Sequence, residues 1–361
     1  MQGNYCFYVH HHGSGHLMRA LAIANVFNSA KVTFIGSNLS RFIDIIPSWI
    51  RLVHLPLDTP ENVEDTADYG KLSFLHYAPL HVRGLRERNA MITAFFAENP
   101  NVLCIVDVSV EVTLLARLCG VPTVVIRQHG ERNDLAHRLA YESAQLLIAP
   151  YPSSMADDQG HAIFTHKTFF SGGFSRYSGT SLPDKQTDHH AIAVFIGRGG
   201  TALDFTFLSF LRRSLPLDYR IHVLGIIDIS CQIENCFIHG DLPNPADIIR
   251  GCDIVIGNAG HNIVMEMADL RKRFVCIPAE RPFREQQVKA LQLKKLGVIV
   301  VPEADIYSTN WQLIMERAAE IDTKVWDGVI TPNALGVIAD ELHSLYQDLF
   351  AQKSFQQLNY T

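Results

Sequence analysis

Three glycine-containing turns in the sequence carry side chains suited to chemistry. The first is His10-His11-His12-Gly13-Ser14-Gly15-His16, which follows an apolar run and precedes Leu17, Ala20, Leu21 and Ala24 at helical spacing. Its glycines permit a tight turn, and a helix N-terminus behind them favours anions. His16 stands at the head of that helix, where an imidazole that titrates near neutrality can act as a general base; the plainer alternative is a histidine that caps the turn. The second turn is Gly197-Arg198-Gly199-Gly200-Thr201, again between an apolar run and a helical pattern. It reads either as an ordinary turn or as a cradle of backbone amides for a diphosphate, with Arg198 adding positive charge. No Gly-Lys-Ser/Thr follows, so it is not a Walker loop, and the first turn lacks the third glycine of a nicotinamide fingerprint. The third and most specific turn is Gly257-Asn258-Ala259-Gly260-His261-Asn262, opening a helix that carries Glu266. A carboxylate placed there can accept two vicinal ribose hydroxyls, and Glu285-Gln286-Gln287, at the start of the next helix, can hold sugar hydroxyls. His12, His129 and His261 fall on loops facing the same cleft.

The elements that must position these turns are legible as alternation. Short apolar runs at 5–10, 31–36, 51–55, 102–107, 123–127 and 146–149 are separated by helical patterns, which predicts a parallel sheet covered on both faces. A polar, Gly/Ser-rich stretch at 171–188 reads as an interdomain linker. A second alternation follows at 191–196, 220–224, 236–239, 253–256, 274–277 and 298–301. The fold class is therefore α/β, with two Rossmann-like domains at 1–170 and 190–333 and an amphipathic segment at 334–361 packing back on the first. Two such domains face each other across a cleft at the carboxyl ends of both sheets.

Composition narrows the classes. A net charge of -6 over 361 residues argues against a general nucleic-acid binder. A hydrophobic content of 47% excludes a largely disordered chain. No apolar run approaches the roughly 18–20 residues that span a bilayer, and the N-terminus lacks the pattern of a signal peptide. The seven cysteines are odd in number and without CxxC spacing, which suits buried thiols in a reducing cytoplasm. Of the seventeen histidines, His16 alone carries a definite chemical role, and no metal cluster is expected. No DxD motif stands in a suitable context, so neither a catalytic metal nor a cofactor is expected. The stretch 69–99 carries Leu72, Phe74, Leu75, Tyr77 and Leu80, then Arg83, Arg86 and Arg88. It reads either as a packed helix with a solvated basic face or as an apolar patch with a basic rim that meets a membrane surface.

Together these residues resemble the GT-B glycosyltransferases that use nucleotide-sugar donors, over nearly the whole chain. The nearest type is family 28, the N-acetylglucosaminyltransferases of bacterial cell-wall lipid synthesis (the MurG type). The resemblance implies that Gly15 and residues Gly197, Arg198, Gly199, Gly200 and Thr201 meet the diphosphate. It implies that the backbone at Phe237 and Ile238 receives the uracil. Ala259, Gly260, His261 and Asn262 lead to the ribose-binding Glu266, and Glu285, Gln286 and Gln287 take the sugar. His12, Ser14, Arg127, Gln128 and His129 fall on the acceptor side. The chain departs from the pattern in having fewer glycines in the first turn, Arg127 where an acidic residue is usual, and a longer segment between Ile238 and Asp253. Asp107 resembles the aspartate that supports the catalytic histidine of natural-product glycosyltransferases; its alternative role is to cap the helix beginning near Ser109. The implied activity is inverting, metal-independent transfer of N-acetylglucosamine or a related hexose from a UDP-sugar to an acceptor hydroxyl. The acceptor is a saccharide, a lipid-linked molecule or a small molecule, and peripheral contact with the inner face of the cell membrane is implied. A nucleotide-sugar hydrolase, a 2-epimerase and a non-catalytic binder on the same scaffold remain as alternatives.

Overall fold

The computed structural model describes residues 3–11, 15–27, 30–60, 72–157, 162–183, 185–197, 200–227 and 232–357. His12, Gly13, Ser14, Arg198 and Gly199 lie outside the described residues, as does Cys231. The first sheet is built from β1 (Asn4–Val9), β2 (Lys31–Gly36), β3 (Arg51–His54), β4 (Leu103–Asp107), β5 (Thr123–Ile126), β6 (Leu146–Ala149) and β7 (Thr168–Phe170). Its helices are α1 (Gly15–Ala24), α2 (Arg83–Glu98), α3 (Val110–Leu118) and α4 (Leu135–Ser143). The second sheet comprises β8 (Asp188–Phe195), β9 (Arg220–Leu224), β10 (Cys236–Gly240), β11 (Cys252–Gly257), β12 (Arg273–Cys276) and β13 (Ile299–Val300). With it come α5 (Phe205–Arg213), α6 (Ala246–Gly251), α7 (His261–Asp269), α8 (Glu285–Leu296) and α9 (Trp311–Ala319).

Every strand pairing is parallel. Parallel strands covered on both faces must be apolar throughout, which is why β4 (Leu-Cys-Ile-Val-Asp) is buried at every position. Cys6, Cys104, Cys252 and Cys276 are free thiols packed inside such strands. The strand orders are β3-β2-β1-β4-β5-β6-β7 and β10-β9-β8-β11-β12-β13. In each sheet the order reverses at one place, between β1 and β4 and between β8 and β11. Ligands of open parallel sheets bind at the carboxyl ends beside such a reversal.

Two segments tie the sheets together. Residues 171–183 do not behave as a loose linker: the Gly173 amide donates to the Val329 carbonyl at 2.8 Å, and the Ser175 and Ser178 hydroxyls donate to Asp269 at 2.6 and 2.7 Å. The closing helix α10 (Ala334–Gln357) returns to the first sheet. Its Ala334, Ile338, Leu342, Tyr346 and Phe350 recur every four residues and enter the core formed with α1 and β1, the stripe expected of a helix buried on one face. In α2, Arg83 and Arg86 are exposed, but Arg88 is 2% exposed, paired with Asp58 and donating to the Tyr8 hydroxyl at 2.6 Å. Arg88 is thus removed from the basic rim expected of this stretch, because the helix turns it inward to a buried acceptor. Among the described residues, no helix is long and apolar enough to cross a membrane.

Candidate active site between the two sheets

The first reversal point assembles a histidine and an aspartate from separate elements. His16 opens α1 immediately after β1, and Asp107 ends β4, the strand paired with β1. His16 Nδ1 lies 3.1 Å from Asp107 Oδ2, with the imidazole 16% exposed. Asp107 does not cap α3; Ser109 does, accepting from the Val112 amide at 3.3 Å. The chain turns between them at Val108, whose φ of 63° is a left-handed conformation costly for a β-branched residue. Arg19, one helical turn after His16, grips the same carboxylate through Nε at 3.0 Å and NH2 at 3.2 Å. Burial pushes the Asp107 carboxyl up, but Arg19 and His16 outweigh it and hold it down at about 2. Two groups meet His16 Nδ1: Asp107, which only accepts, at 3.1 Å, and Arg19 NH2, which only donates, at 3.5 Å; the shorter contact favours the proton on Nδ1, which leaves Nε2 unprotonated.

The second reversal point lies opposite. Gly197 follows β8, and a Cβ there would meet Asn258 Nδ2 at 2.7 Å, so the turn after β11 approaches its backbone closely. The Asn258 side chain accepts from the Gly260 amide at 3.0 Å, shaping the turn into α7. Asn262 then donates to the Gly15 carbonyl at 3.4 Å, joining the two reversal points. Thr201 is spent locally, its hydroxyl accepting from the Leu203 amide at 3.2 Å. Glu266 is 3% exposed. Its Oε1 accepts from Arg176 Nε and NH2, both at 2.8 Å, while Oε2 is buried without a partner. Burial raises the Glu266 carboxyl and Arg176 opposes it. Gln286 is buried, and its Oε1 accepts from the Ala259 and Ala279 amides at 3.1 and 2.9 Å. That oxygen clamps two loops together, while the Gln286 amide nitrogen takes no part in either bond. Gln287 donates to the Ala279 carbonyl at 3.3 Å, and its Oε1 is buried without a partner. Phe237 and Ile238 lie on β10, an edge strand, in an open groove of about 590 Å³ that also includes Phe205 at the head of α5.

The loop after β5 joins the halves. Arg127 does not face the cleft: it is 2% exposed, donates to Thr168 Oγ1 at 3.0 Å and lies 5.1 Å from the Tyr141 ring. The resemblance puts it on the acceptor side; here Thr168 and Tyr141 hold its side chain in the first domain's interior. Gln128 and His129 are buried as well. His129 Nε2 donates to the Met155 carbonyl at 2.8 Å, and Gln128 Oε1 accepts from Arg132 at 3.2 Å. Gly130 has a φ of +124°, and a Cβ there would stand 2.8 Å from the Phe283 carbonyl oxygen of the second domain. The Glu131 amide donates to that oxygen at 2.7 Å, and Arg284 pairs with the Glu131 carboxylate at 2.7 Å. His261 heads α7 with Nε2 buried and unpartnered; burial, with Lys289 and Arg19 nearby, keeps its imidazole neutral. Glu285 is approached by Arg132 at 3.4 Å and by Lys289 at 4.0 Å.

Among the described residues, His76, Asp134 and His137 are grouped closely enough to hold a cation. The hydrogen bonds oppose that use. Arg132 donates to His137 Nε2 at 3.0 Å, which leaves the proton on Nδ1, and Nδ1 donates to Asp134 at 2.5 Å. Burial, then Arg132, hold the His137 imidazole down at about 4. A metal ion would need the nitrogen that this arrangement keeps protonated.

Four site residues were not legible beforehand. Arg19 had a usable signal, since it shares a helix face with His16 at i+3. Arg176 lies in the stretch read as a linker, while Arg132, before α4, and Lys289, within α8, look like ordinary surface cations until the domains are docked.

The model of the glycosyltransferase family 28 C-terminal domain matches residues 242–312, the segment from the turn after β10 to the start of α9. The fold is that of the GT-B class, and the matched segment is similar to the C-terminal domain of glycosyltransferase family 28. Within that class the likeness is to the MurG type. The UDP-N-acetylglucosamine--N-acetylmuramyl-(pentapeptide) pyrophosphoryl-undecaprenol N-acetylglucosamine transferase of Clostridium kluyveri is 24% identical over 243 residues, covering 62% of this chain and 66% of the relative. The chain thus spans just under two thirds of that relative's length. Acinetobacter baumannii MurG superposes with a TM-score of 0.59 at 15% identity, covering 94% of this chain and 99% of that one. The calicheamicin glycosyltransferase CalG4 superposes with a TM-score of 0.67 at 14% identity, covering 97% and 100%.

Proposed function

We propose that the protein transfers a hexose, N-acetylglucosamine or a close relative, from a UDP-sugar to an acceptor hydroxyl, with inversion and without a metal. The observation that carries this reading is the opposition of the two reversal points: a His16–Asp107 pair on one side, and on the other the α7 N-terminus with a buried, half-satisfied Glu266. His16 Nε2 takes the proton of the acceptor hydroxyl as its oxygen attacks the anomeric carbon. The bond from that carbon to the diphosphate breaks, and the electron pair leaves with UDP. The α7 N-terminus, with the Gly197 backbone that approaches Asn258 beside it, receives the developing charge. Arg19 neutralises much of the Asp107 charge, so Asp107 serves His16 chiefly by fixing its tautomer and direction. Glu266 Oε2 is the group offered to the ribose, with Arg176 holding the carboxylate in place.

The acceptor side suits a lipid-linked molecule. Leu72, Phe74, Tyr77 and Leu80 expose apolar side chains on the first domain just before the exposed Arg83 and Arg86 of α2, the combination a membrane-contacting segment would require. The sequence relationship to the Clostridium kluyveri transferase supports the same donor and acceptor classes.

The test is direct. UDP should raise the melting temperature more than other nucleoside diphosphates do. His16→Ala should keep that shift while lowering transfer about 10²–10⁴-fold, and EDTA should leave the wild-type rate unchanged. Full transfer by His16→Ala, or loss of activity in EDTA, contradicts the mechanism.

A further inference from the structure

Arg132 belongs to the first domain, yet it touches the second. It is 7% exposed. Its Nε donates to the His129 carbonyl at 3.2 Å, NH1 to His137 Nε2 at 3.0 Å, and NH2 to Gln128 Oε1 at 3.2 Å. The same NH2 reaches Glu285 Oε2 at 3.4 Å, and the guanidinium lies 5.1 Å from the Phe283 ring. Three anchors from its own domain therefore fix the group before it meets the other one.

On the opposite side, Phe283 and Arg284 adopt left-handed backbones, with φ of 57° and 49°, conformations that cost energy for non-glycine residues and persist only where surroundings enforce them. Here the surroundings are the first domain: Phe283 packs edge-on against His137 with ring centroids 4.6 Å apart, and its carbonyl receives the Glu131 amide. Glu285 begins α8 directly after this strained pair. Its other oxygen faces Lys289, an ammonium 0% exposed, without a hydrogen-bond partner and 4.0 Å away. Glu285 thus stands between a cation of its own helix and a cation of the other domain.

We propose that Arg132 is a positioning residue: it holds the Glu285 carboxylate outward at the sugar end of the donor site, so that this end is complete only when the two domains are docked. Without Arg132, Lys289 is the remaining nearby cation and draws the carboxylate inward, away from a bound sugar. The guanidinium suits the task because it is permanently charged and its fork engages several acceptors at once. The same arginine holds Gln128 and the His129 carbonyl of the acceptor-side loop, so acceptor-side geometry and donor-sugar geometry are coupled through one side chain. This inference rests on the donor reading above, in which Glu285 meets the sugar and Glu266 the ribose.

The test separates sugar from nucleotide. Calorimetry on the full chain would compare UDP with UDP-glucose, UDP-galactose and UDP-N-acetylglucosamine, for wild type, Arg132→Ala, Arg132→Lys, Glu285→Gln and the Arg132→Ala/Glu285→Gln double variant. UDP affinity should stay within about twofold of wild type throughout, because Arg132 does not approach Glu266. The preference of wild type for its best sugar nucleotide over UDP should fall about tenfold in Arg132→Ala, as for loss of one charge-assisted contact. Lysine should recover part of it by keeping the charge, and the double variant should be no worse than the poorer single variant. Equal loss of UDP and UDP-sugar affinity in Arg132→Ala would mean a merely structural role and overturn the proposal, as would additive losses in the double variant. A wild type that binds UDP but gains nothing from any sugar overturns the sugar-end role of Glu285, and the proposal with it. A wild type that ignores UDP altogether overturns the donor reading instead.

Discussion

At the scale of single residues, the site is a set of side chains whose partners come from distant parts of the chain. Asp107 is the clearest case. From its position before Ser109 it could equally cap a helix, and only the pairing of β1 with β4 brings it to His16 and Arg19. Its carboxyl is held at about 2 in the folded protein, below its unfolded range near 3.9. A depressed carboxylate stabilises the fold above its unfolded pKa, and that stability is lost as pH falls through the folded value. Asp107 should therefore contribute about 2 kcal/mol at neutral pH, lost between about pH 4 and pH 2 as its proton returns. Urea denaturation of Asp107→Asn across this window should show a flatter pH dependence than wild type; identical profiles would contradict the assignment. Arg127 teaches the opposite lesson. Its motif places it on the acceptor side, but the inward turn of the chain beside Thr168 and Tyr141 decides otherwise.

At the scale of elements, loops after strands do the positioning, and their glycines were legible as turns but not as contacts. Gly130 shows why. Its positive φ and the 2.8 Å approach that a Cβ would make to the Phe283 oxygen are properties of two domains together. Gly130→Ala should therefore leave the nucleotide-induced melting shift intact while lowering transfer at least about tenfold, since misplacement on the order of 1 Å is enough. Steady-state rates beside thermal shifts would check this; an unaltered rate would mean that the loop accommodates the methyl group. The 171–188 stretch reads as a linker from its Gly and Ser content. Hydrogen bonds to Asp269 and to the Val329 strip make it part of the second domain's surface, and this is how Arg176 reaches Glu266.

At the scale of the whole molecule, α10 closes the first domain's core and the Arg132–Glu285 contact spans the two halves. Tyr346 of α10 is 2% exposed, donates its hydroxyl to the Asn101 carbonyl at 2.9 Å and packs against Tyr5 and Phe350. Tyr346→Ala should cost on the order of 3 kcal/mol in denaturant unfolding, with the first domain weakened ahead of the second; a change below about 1 kcal/mol would mean that α10 is dispensable to that core. The sequence by itself determined the α/β class, the alternation of strands and helices, and the turn that opens α7, because strand burial and turn chemistry are local and periodic. Only the tertiary structure decided which charges pair: Asp107 with Arg19, Glu266 with Arg176, Glu285 with Arg132, and Arg88 with Asp58. These partners lie far apart in the chain, and an ion pair leaves no periodic trace in a sequence. Its existence depends on distance and burial, which the packing of the two sheets alone supplies.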